Sequence, residues 1–221
     1  MTTDKSATQD HYAHLASSYD RAARRLKLIG FQDERYRMEV IAALDLHAGA
    51  TVVELGCGTG ANHAAVIDRI GALGTLIAVD LTPAMLERAQ ARASAHGWAN
   101  IELVQSDVET FEVPTGVDAV FSTFAFTFMP DCGGVVRRAC RALKPGGRFA
   151  AADQKVPGLG EAVTIPAYAI AVRSFGITRE MMARRPWKAV RAAMADELED
   201  LVWSERYLGF TYVAHGRRPA A

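Results

Sequence analysis

Apolar and polar residues alternate along this chain with two periods, and stretches of the two kinds follow one another. Short β-branched or apolar runs at Thr51–Leu55, Thr75–Asp80, Ile101–Gln105, Asp118–Ser122 and Arg148–Asp153 have the length and composition of strands. Between them, apolar residues recur at helical spacing. Ala65, Val66 and Ile70 do so in 62–70, and Met85, Leu86, Ala89 and Ala93 in 83–96. Val135, Val136, Ala139, Cys140 and Leu143 do so in 131–143. Strand and helix in turn predict an α/β fold with a doubly wound, Rossmann-like sheet. Two further helices are predicted upstream. Residues 9–28 carry Tyr12, Leu15, Ala16, Tyr19 and Ala23 on one face, and 33–45 carry Met38, Ile41, Ala42 and Leu44.

The alternation breaks at 154–185. Val163, Ile165, Ala167, Tyr168, Ile170, Val172, Phe175 and Ile177 make an apolar belt cut by Pro157, Pro166 and Gly176. Such a belt can form neither a core strand nor one long helix. We read it as a helical lid which, with the N-terminal helix in 1–30, covers an acceptor pocket; packing on the sheet or on a second subunit is the alternative. Arg173, Arg179 and Arg184 fall near the pocket mouth in the lid reading. Pro186 then opens a helix with Trp187, Val190, Met194 and Leu198 on one face. Leu201–Ser204 and Tyr207–Ala214 read as a closing antiparallel hairpin that turns at Glu205-Arg206. No repeat or second domain is visible, so residues 1–221 read as one domain.

The turn after the first strand carries the chemistry. Gly56, Gly58 and Gly60 alternate with Cys57 and Thr59 just before a helix, and each glycine can take positive φ and admit a ligand to bare backbone. Strand, glycine turn and helix open a nucleotide-binding unit. Asp80 ends the second strand about 20 residues on, where a carboxylate can accept from ribose hydroxyls or can cap the local turn. Thr82 reads as an N-cap with Pro83 at the first helical position, and Gly97 stops that helix. Asp107 follows the third strand, either as a ligand contact or as an Asx turn. The fourth strand runs into Thr123–Met129, an aromatic stretch that is either an acceptor wall or a continuation of the core.

Glu54 before the glycines, and their unbroken G-x-G-x-G spacing, resemble the first motif of the class I S-adenosylmethionine (SAM)-dependent methyltransferases. Asp80, Asp107 and Leu143-Lys-Pro-Gly-Gly-Arg148 agree with that family, and the resemblance runs from residue 40 to residue 214. It implies a seven-stranded sheet with the last strand antiparallel, and SAM across the carboxyl ends of the first strands. The residues it assigns to SAM are Glu54, Gly56, Cys57, Gly58, Gly60, Asp80, Leu81, Asp107, Val108 and Thr123, with Asp107 on the adenine amino group. Phe124, Phe126, Phe128, Tyr168 and Phe175 are assigned to the acceptor. The Tyr19-Asp20 pair resembles one on the cofactor-covering helix of small-molecule methyltransferases. Candidate bases are His11, His14, Tyr19, His63 and Asp153, of which Tyr19, His63 and Asp153 are carried forward as catalytic. Asn62, the Gly97–Asn100 step and the Tyr207–Tyr212 ending are similar to bacterial N-methyltransferases of phospholipids and betaine lipids, and to quinone-biosynthesis C-methyltransferases. The expected reaction is methyl transfer to a small, partly apolar or lipid-like acceptor.

Composition narrows the picture further. The chain has 221 residues, half of them hydrophobic, and a formal net charge of zero, so overall charge does not steer it to nucleic acid. No apolar run approaches the roughly 20 residues that span a bilayer, which leaves only peripheral membrane contact open. The polar start, Met1-Thr-Thr-Asp, lacks a signal-peptide core. Cys57, Cys132 and Cys140 show no metal spacing and read as reduced thiols, so we expect a cytoplasmic protein without a metal. Two other functions share the glycine turn: a nicotinamide-dependent oxidoreductase, and a non-catalytic SAM-binding scaffold. No Tyr-x-x-x-Lys pair supports the first, since Val172 stands four residues after Tyr168.

Overall fold

The computed structural model describes residues 32–157, 165, 168 and 175–220. Seven strands form one sheet: β1 (Thr51–Leu55), β2 (Thr75–Asp80), β3 (Ile101–Gln105), β4 (Val117–Thr123), β5 (Leu143–Gln154), β6 (Glu199–Arg206) and β7 (Thr211–Arg217). Their order is β3-β2-β1-β4-β5-β7-β6. β1 to β5 are mutually parallel, and β7 runs antiparallel to both of its neighbours. The doubly wound sheet with an antiparallel last strand is the expected one. Chain order reverses between β1 and β4, and at such a switch point the strand ends part and leave a crevice for a ligand.

Among the described residues six helices flank the sheet: α1 (Asp33–Ala43), α2 (His63–Ile70), α3 (Pro83–His96), α4 (Cys132–Ala142), α5 (Arg179–Ala183) and α6 (Pro186–Glu197). Period-two alternation along the strands divides the core in two. Val53, Leu55, Val79, Val120, Phe149 and Ala151 pack towards α4 and α6. Val52, Leu76, Ala78, Phe121, Ala150 and Ala152 pack with residues of α1 and α2. Strands covered on both faces lose most of their polar positions, which is why apolar residues dominate β1, β2 and β4. Among the described residues no helix is long and apolar enough to cross a membrane.

Local signals explain most boundaries. Gly97 ends α3 in the left-handed conformation, and the Asp131 carboxylate caps α4 by accepting from the Gly134 amide at 3.0 Å. Gly147 admits no side chain: a Cβ there would stand 2.9 Å from the Lys144 carbonyl oxygen and 3.0 Å from that of Asp118.

Three expectations change. Thr82 precedes α3 with Pro83 behind it, but its side chain makes no capping bond and turns to Asp80 instead. The closing hairpin turns at Tyr207–Gly209, not at Glu205-Arg206. A tight hairpin needs left-handed residues, and Tyr207, Leu208 and Gly209 supply them in succession. Glu205 and Arg206 are instead held in β6 by Lys155 and by Glu39 of α1, the latter at 2.9 Å. Finally, the described part of the 154–185 belt does not stand off as a lid. Ile165, Phe175 and Ile177 are buried in the core on the α6 side, and Tyr168 stacks on Phe210 with centroids 5.0 Å apart. The N-terminal helix expected at 9–28, with His11, His14 and Tyr19, lies outside the described residues, as does Arg173.

Candidate active site

β1 delivers the chain into the turn Gly56–Gly60, where the three glycines have φ of 76°, 54° and 74°. Left-handed backbone costs about 1–2 kcal/mol in a residue with a Cβ, so glycine is favoured at each. Their surroundings separate them. A Cβ on Gly56 would lie 2.4 Å from that of Ala125, and one on Gly60 2.6 Å from His63 Nδ1, but one on Gly58 would meet nothing within 4 Å. Gly56 and Gly60 are therefore glycine for close packing. Gly58 is open on the side that faces a cavity.

That cavity lies at the carboxyl ends of β1, β2 and β4. Gly56, Cys57, Gly58, Asp80, Leu81, Asp107, Val108 and Thr123 line it, together with Phe124 and Phe128. Asp80 holds the turn in place. Its carboxylate accepts from the Gly58 amide at 2.8 Å and from the Thr82 amide at 2.9 Å. Burial raises its pKa against these bonds. The Thr82 hydroxyl and the Leu81 amide are also directed at this carboxylate, which caps the turn and lines the cavity at once. Asp107 accepts from the Glu109 amide at 3.0 Å, which is the Asx-turn geometry, while also lining the cavity.

Other predicted residues lie elsewhere. Glu54 and Gly60 do not line the cavity; Gly60 closes the turn, and Glu54, in β1, is fully buried. His63 is 0% exposed beneath Gly60, because it shares the buried stripe of α2 with Val66, Ile67 and Ile70. Burial, aided by Arg92, lowers its pKa to about 4. Asp153 is buried on the other face. Its carboxylate accepts from the Thr127 amide and hydroxyl, both at 2.9 Å, and from the Gln154 amide at 2.6 Å. Burial still pushes its pKa up to about 6. Neither His63 nor Asp153 lines the cavity.

The aromatic stretch is divided by geometry. Residues 126–128 form a 3-10 turn, in which successive side chains diverge by about 120°. Phe128 accordingly reaches the cavity, whereas Phe126 enters the core beside Phe149. Tyr168 and Phe175 do not line the cavity either, being packed on or within the core. Tyr168 donates to Gln154 Oε1 at 3.1 Å.

Sequence reasoning missed Arg37. From α1 it donates to Thr123 Oγ1 at 2.6 Å, its guanidinium lies 5.0 Å from the Phe124 ring centroid, and it lines the cavity. No motif marks it; only its position on the buried side of α1 brings it there. Asn62, on the same hydroxyl at 2.9 Å, links Thr123 back to Glu54 at 2.7 Å. Phe124 has φ of 59°, unusual for a non-glycine residue and found at the mouth of this site. The three cysteines are free and buried, and burial raises the pKa of each.

Residues 52–147 match a family model described as a methyltransferase domain. The chain is 34% identical over 103 residues to aklanonic acid methyltransferase DauC of Streptomyces sp. (strain C5), covering 46% of this chain and 47% of that one. It is 27% identical over 138 residues to a demethylmenaquinone methyltransferase of Shouchella clausii, covering 62% and 56%. The chain spans about half the length of the curated relatives it matches. A SAM-dependent methyltransferase from Aquifex aeolicus superposes with TM-score 0.61 at 18% identity, covering 88% of this chain and 97% of that one. In its strand order, its glycine turn and its matched domain, the chain is similar to the class I SAM-dependent methyltransferases of the small-molecule type, whose Rossmann-like fold it shares.

Proposed function

We propose that this chain binds SAM in the cavity above Gly56–Gly58 and transfers its methyl group to a small, partly apolar acceptor. One observation carries the reading: the cavity in front of Gly58 is charged oppositely at its two ends. Asp80, Asp107 and Glu109 stand at the β2 and β3 end, and Arg37 at the β4 end beside Phe124. A ligand with ribose hydroxyls and an adenine amine at one end and an amino-acid carboxylate at the other suits that polarity.

The residues present fit this cofactor. Asp80 accepts from the ribose hydroxyls, Asp107 lies at the adenine end, bare backbone at Gly58 allows close approach, and Arg37 takes the carboxylate. When bound, the cofactor supplies a methyl on a sulfonium; the acceptor electron pair forms the new bond as the S–CH3 pair returns to sulfur. The protein's contribution is to hold the acceptor in line, an effect worth up to about 7–11 kcal/mol in well-oriented systems. Phe124, Ala125, Phe128 and Met129 present an apolar wall for it. Such a wall suits acceptors of the kind named for relatives and neighbours, among them aklanonic acid, demethylmenaquinone and geranyl diphosphate. We place this activity in a single cytoplasmic domain. Tyr19 is the proposed proton-transfer group for acceptors that need one.

Calorimetry with S-adenosylhomocysteine, NAD and NADP tests the cofactor assignment. Binding of the first alone is expected, and Arg37→Ala should weaken it by about 1.5–3 kcal/mol. Binding of NAD or NADP in its place would replace the proposal with the oxidoreductase reading.

A further inference from the structure

Behind the glycine turn lies a polar cluster for which the cavity lining does not account. Glu54, Asn62 and His63 are all 0% exposed. Glu54 Oε1 accepts from Asn62 Nδ2, but Glu54 Oε2, Asn62 Oδ1 and both ring nitrogens of His63 have no hydrogen-bond partner among the described residues. A buried polar atom left unpaired costs about 1–3 kcal/mol, so four in one place call for a reason. Two of them face each other: His63 Nε2 stands 3.5 Å from Glu54 Oε2. A shift of a few tenths of an ångström would make a hydrogen bond, with the proton on either group. The cluster is also joined to the cavity. Asn62 Nδ2 donates to Thr123 Oγ1 as well as to Glu54, and Arg37, which lines the cavity, donates to the same hydroxyl.

We propose that Glu54 and His63 form a proton-sharing pair whose net charge, zero or minus one, lets the cavity distinguish the sulfonium cofactor from its thioether product. With one proton between them the pair is neutral, whichever group holds it. With none it carries the carboxylate charge. The two ligands share ribose, adenine, ammonium and carboxylate, and differ by the methyl and one positive charge. An ionised pair beneath the turn favours the cation; a neutral pair does not. Releasing the product and taking up fresh cofactor is the step that gains.

The charged and titratable groups around the pair are identifiable. Arg37 on α1 and Asp80 at the end of β2 act on Glu54, Glu54 in turn acts on the Cys57 thiol, and Arg92 on α3 acts on His63. Burial first, and then Asp80, push the Glu54 carboxyl up to about 7, against Asn62 and Arg37. Its proton is therefore exchangeable near neutrality. Arg37 and Asp80 both line the cavity, so the field of Glu54 reaches the ligand through the same surroundings.

The inference rests on the cofactor assignment above, and its test separates the two. The dissociation constants of SAM and S-adenosylhomocysteine are measured by calorimetry on the full chain at about pH 5.5 and about pH 8.5. Groups common to both ligands cancel in the ratio. The preference for SAM should rise with pH on the order of five-fold, the effect of one charge acting through protein of intermediate dielectric. In buffers of different ionisation enthalpy, SAM should release more protons than the product. Glu54→Gln should abolish both effects while melting near wild type, and His63→Asn should move the midpoint. A ratio independent of pH in wild type, an unchanged dependence in Glu54→Gln, or an unmoved midpoint in His63→Asn overturns the pair. If neither ligand binds, it is the cofactor assignment that fails.

Discussion

Gly56 and Gly58 are two residues apart in one turn and both left-handed, yet alanine should damage them in different ways. A Cβ at Gly56 would sit 2.4 Å from Ala125 Cβ. Ala125 has no side-chain torsion to yield with, so the chain between β4 and α4 must move. Left-handed backbone costs about 1–2 kcal/mol and a stiffer unfolded chain returns about 0.4–1. Overpacking adds about 1–3 kcal/mol, for a net loss of about 1–4.5 kcal/mol in Gly56→Ala. At Gly58 the clash is missing, because no atom lies within 4 Å. The stability cost of Gly58→Ala should then be only about 0–1.5 kcal/mol. Its methyl, however, occupies cavity space in front of the backbone. Urea denaturation of the two variants, with calorimetric titration of S-adenosylhomocysteine, provides the assay. Gly56→Ala should be clearly less stable than Gly58→Ala, while Gly58→Ala should bind on the order of ten-fold more weakly than wild type, or worse. Equal stabilities, or undiminished binding by a folded Gly58→Ala protein, would refute the reasoning.

Three shorter predictions use the same geometry. Phe126→Ala should cost about 3–5 kcal/mol in thermal or urea unfolding as a core cavity, whereas Phe128→Ala should cost much less and act on acceptor use. Asp153 has a pKa raised from 3.8 to about 6 in the fold, so its contribution to stability is complete below the unfolded value and is lost as pH rises to about 6. Relative to Asp153→Asn, wild type should therefore lose about 3 kcal/mol of unfolding free energy between about pH 4 and about pH 6; a constant difference would show that the carboxyl is not desolvated. Asp107→Ala should weaken S-adenosylhomocysteine more than an analogue without the exocyclic amine, and equal losses would reduce Asp107 to its Asx turn.

The elements that build the cofactor side of the site were legible because their signals are local. β1, the Gly56–Gly60 turn, β2 ending at Asp80, and α3 between Pro83 and Gly97 each carry their own period, breaker or special backbone angle. Asp80 and Asp107 could be placed by counting, since parallel strands joined by helices bring their carboxyl ends to one edge. Side-chain direction was harder to read. His63 looks like a solvent-side residue at a helix start until α2 docks and turns it under Gly60 with Val66 and Ile70. Phe126 and Phe128 are equivalent in the sequence, and only the 3-10 turn, held by Asp153, sends one inward and the other to the cavity. Phe175 belongs to a belt whose composition suits a lid as well as a core. Arg37 had no signal, because it comes from α1, far from Thr123 and Phe124 in the chain, and is recruited by packing on β4 and β5. Local rules decide which segments become strand, turn and helix. Which side chains meet is decided by long-range docking of those segments, where burial free energy outweighs the preference of any single residue.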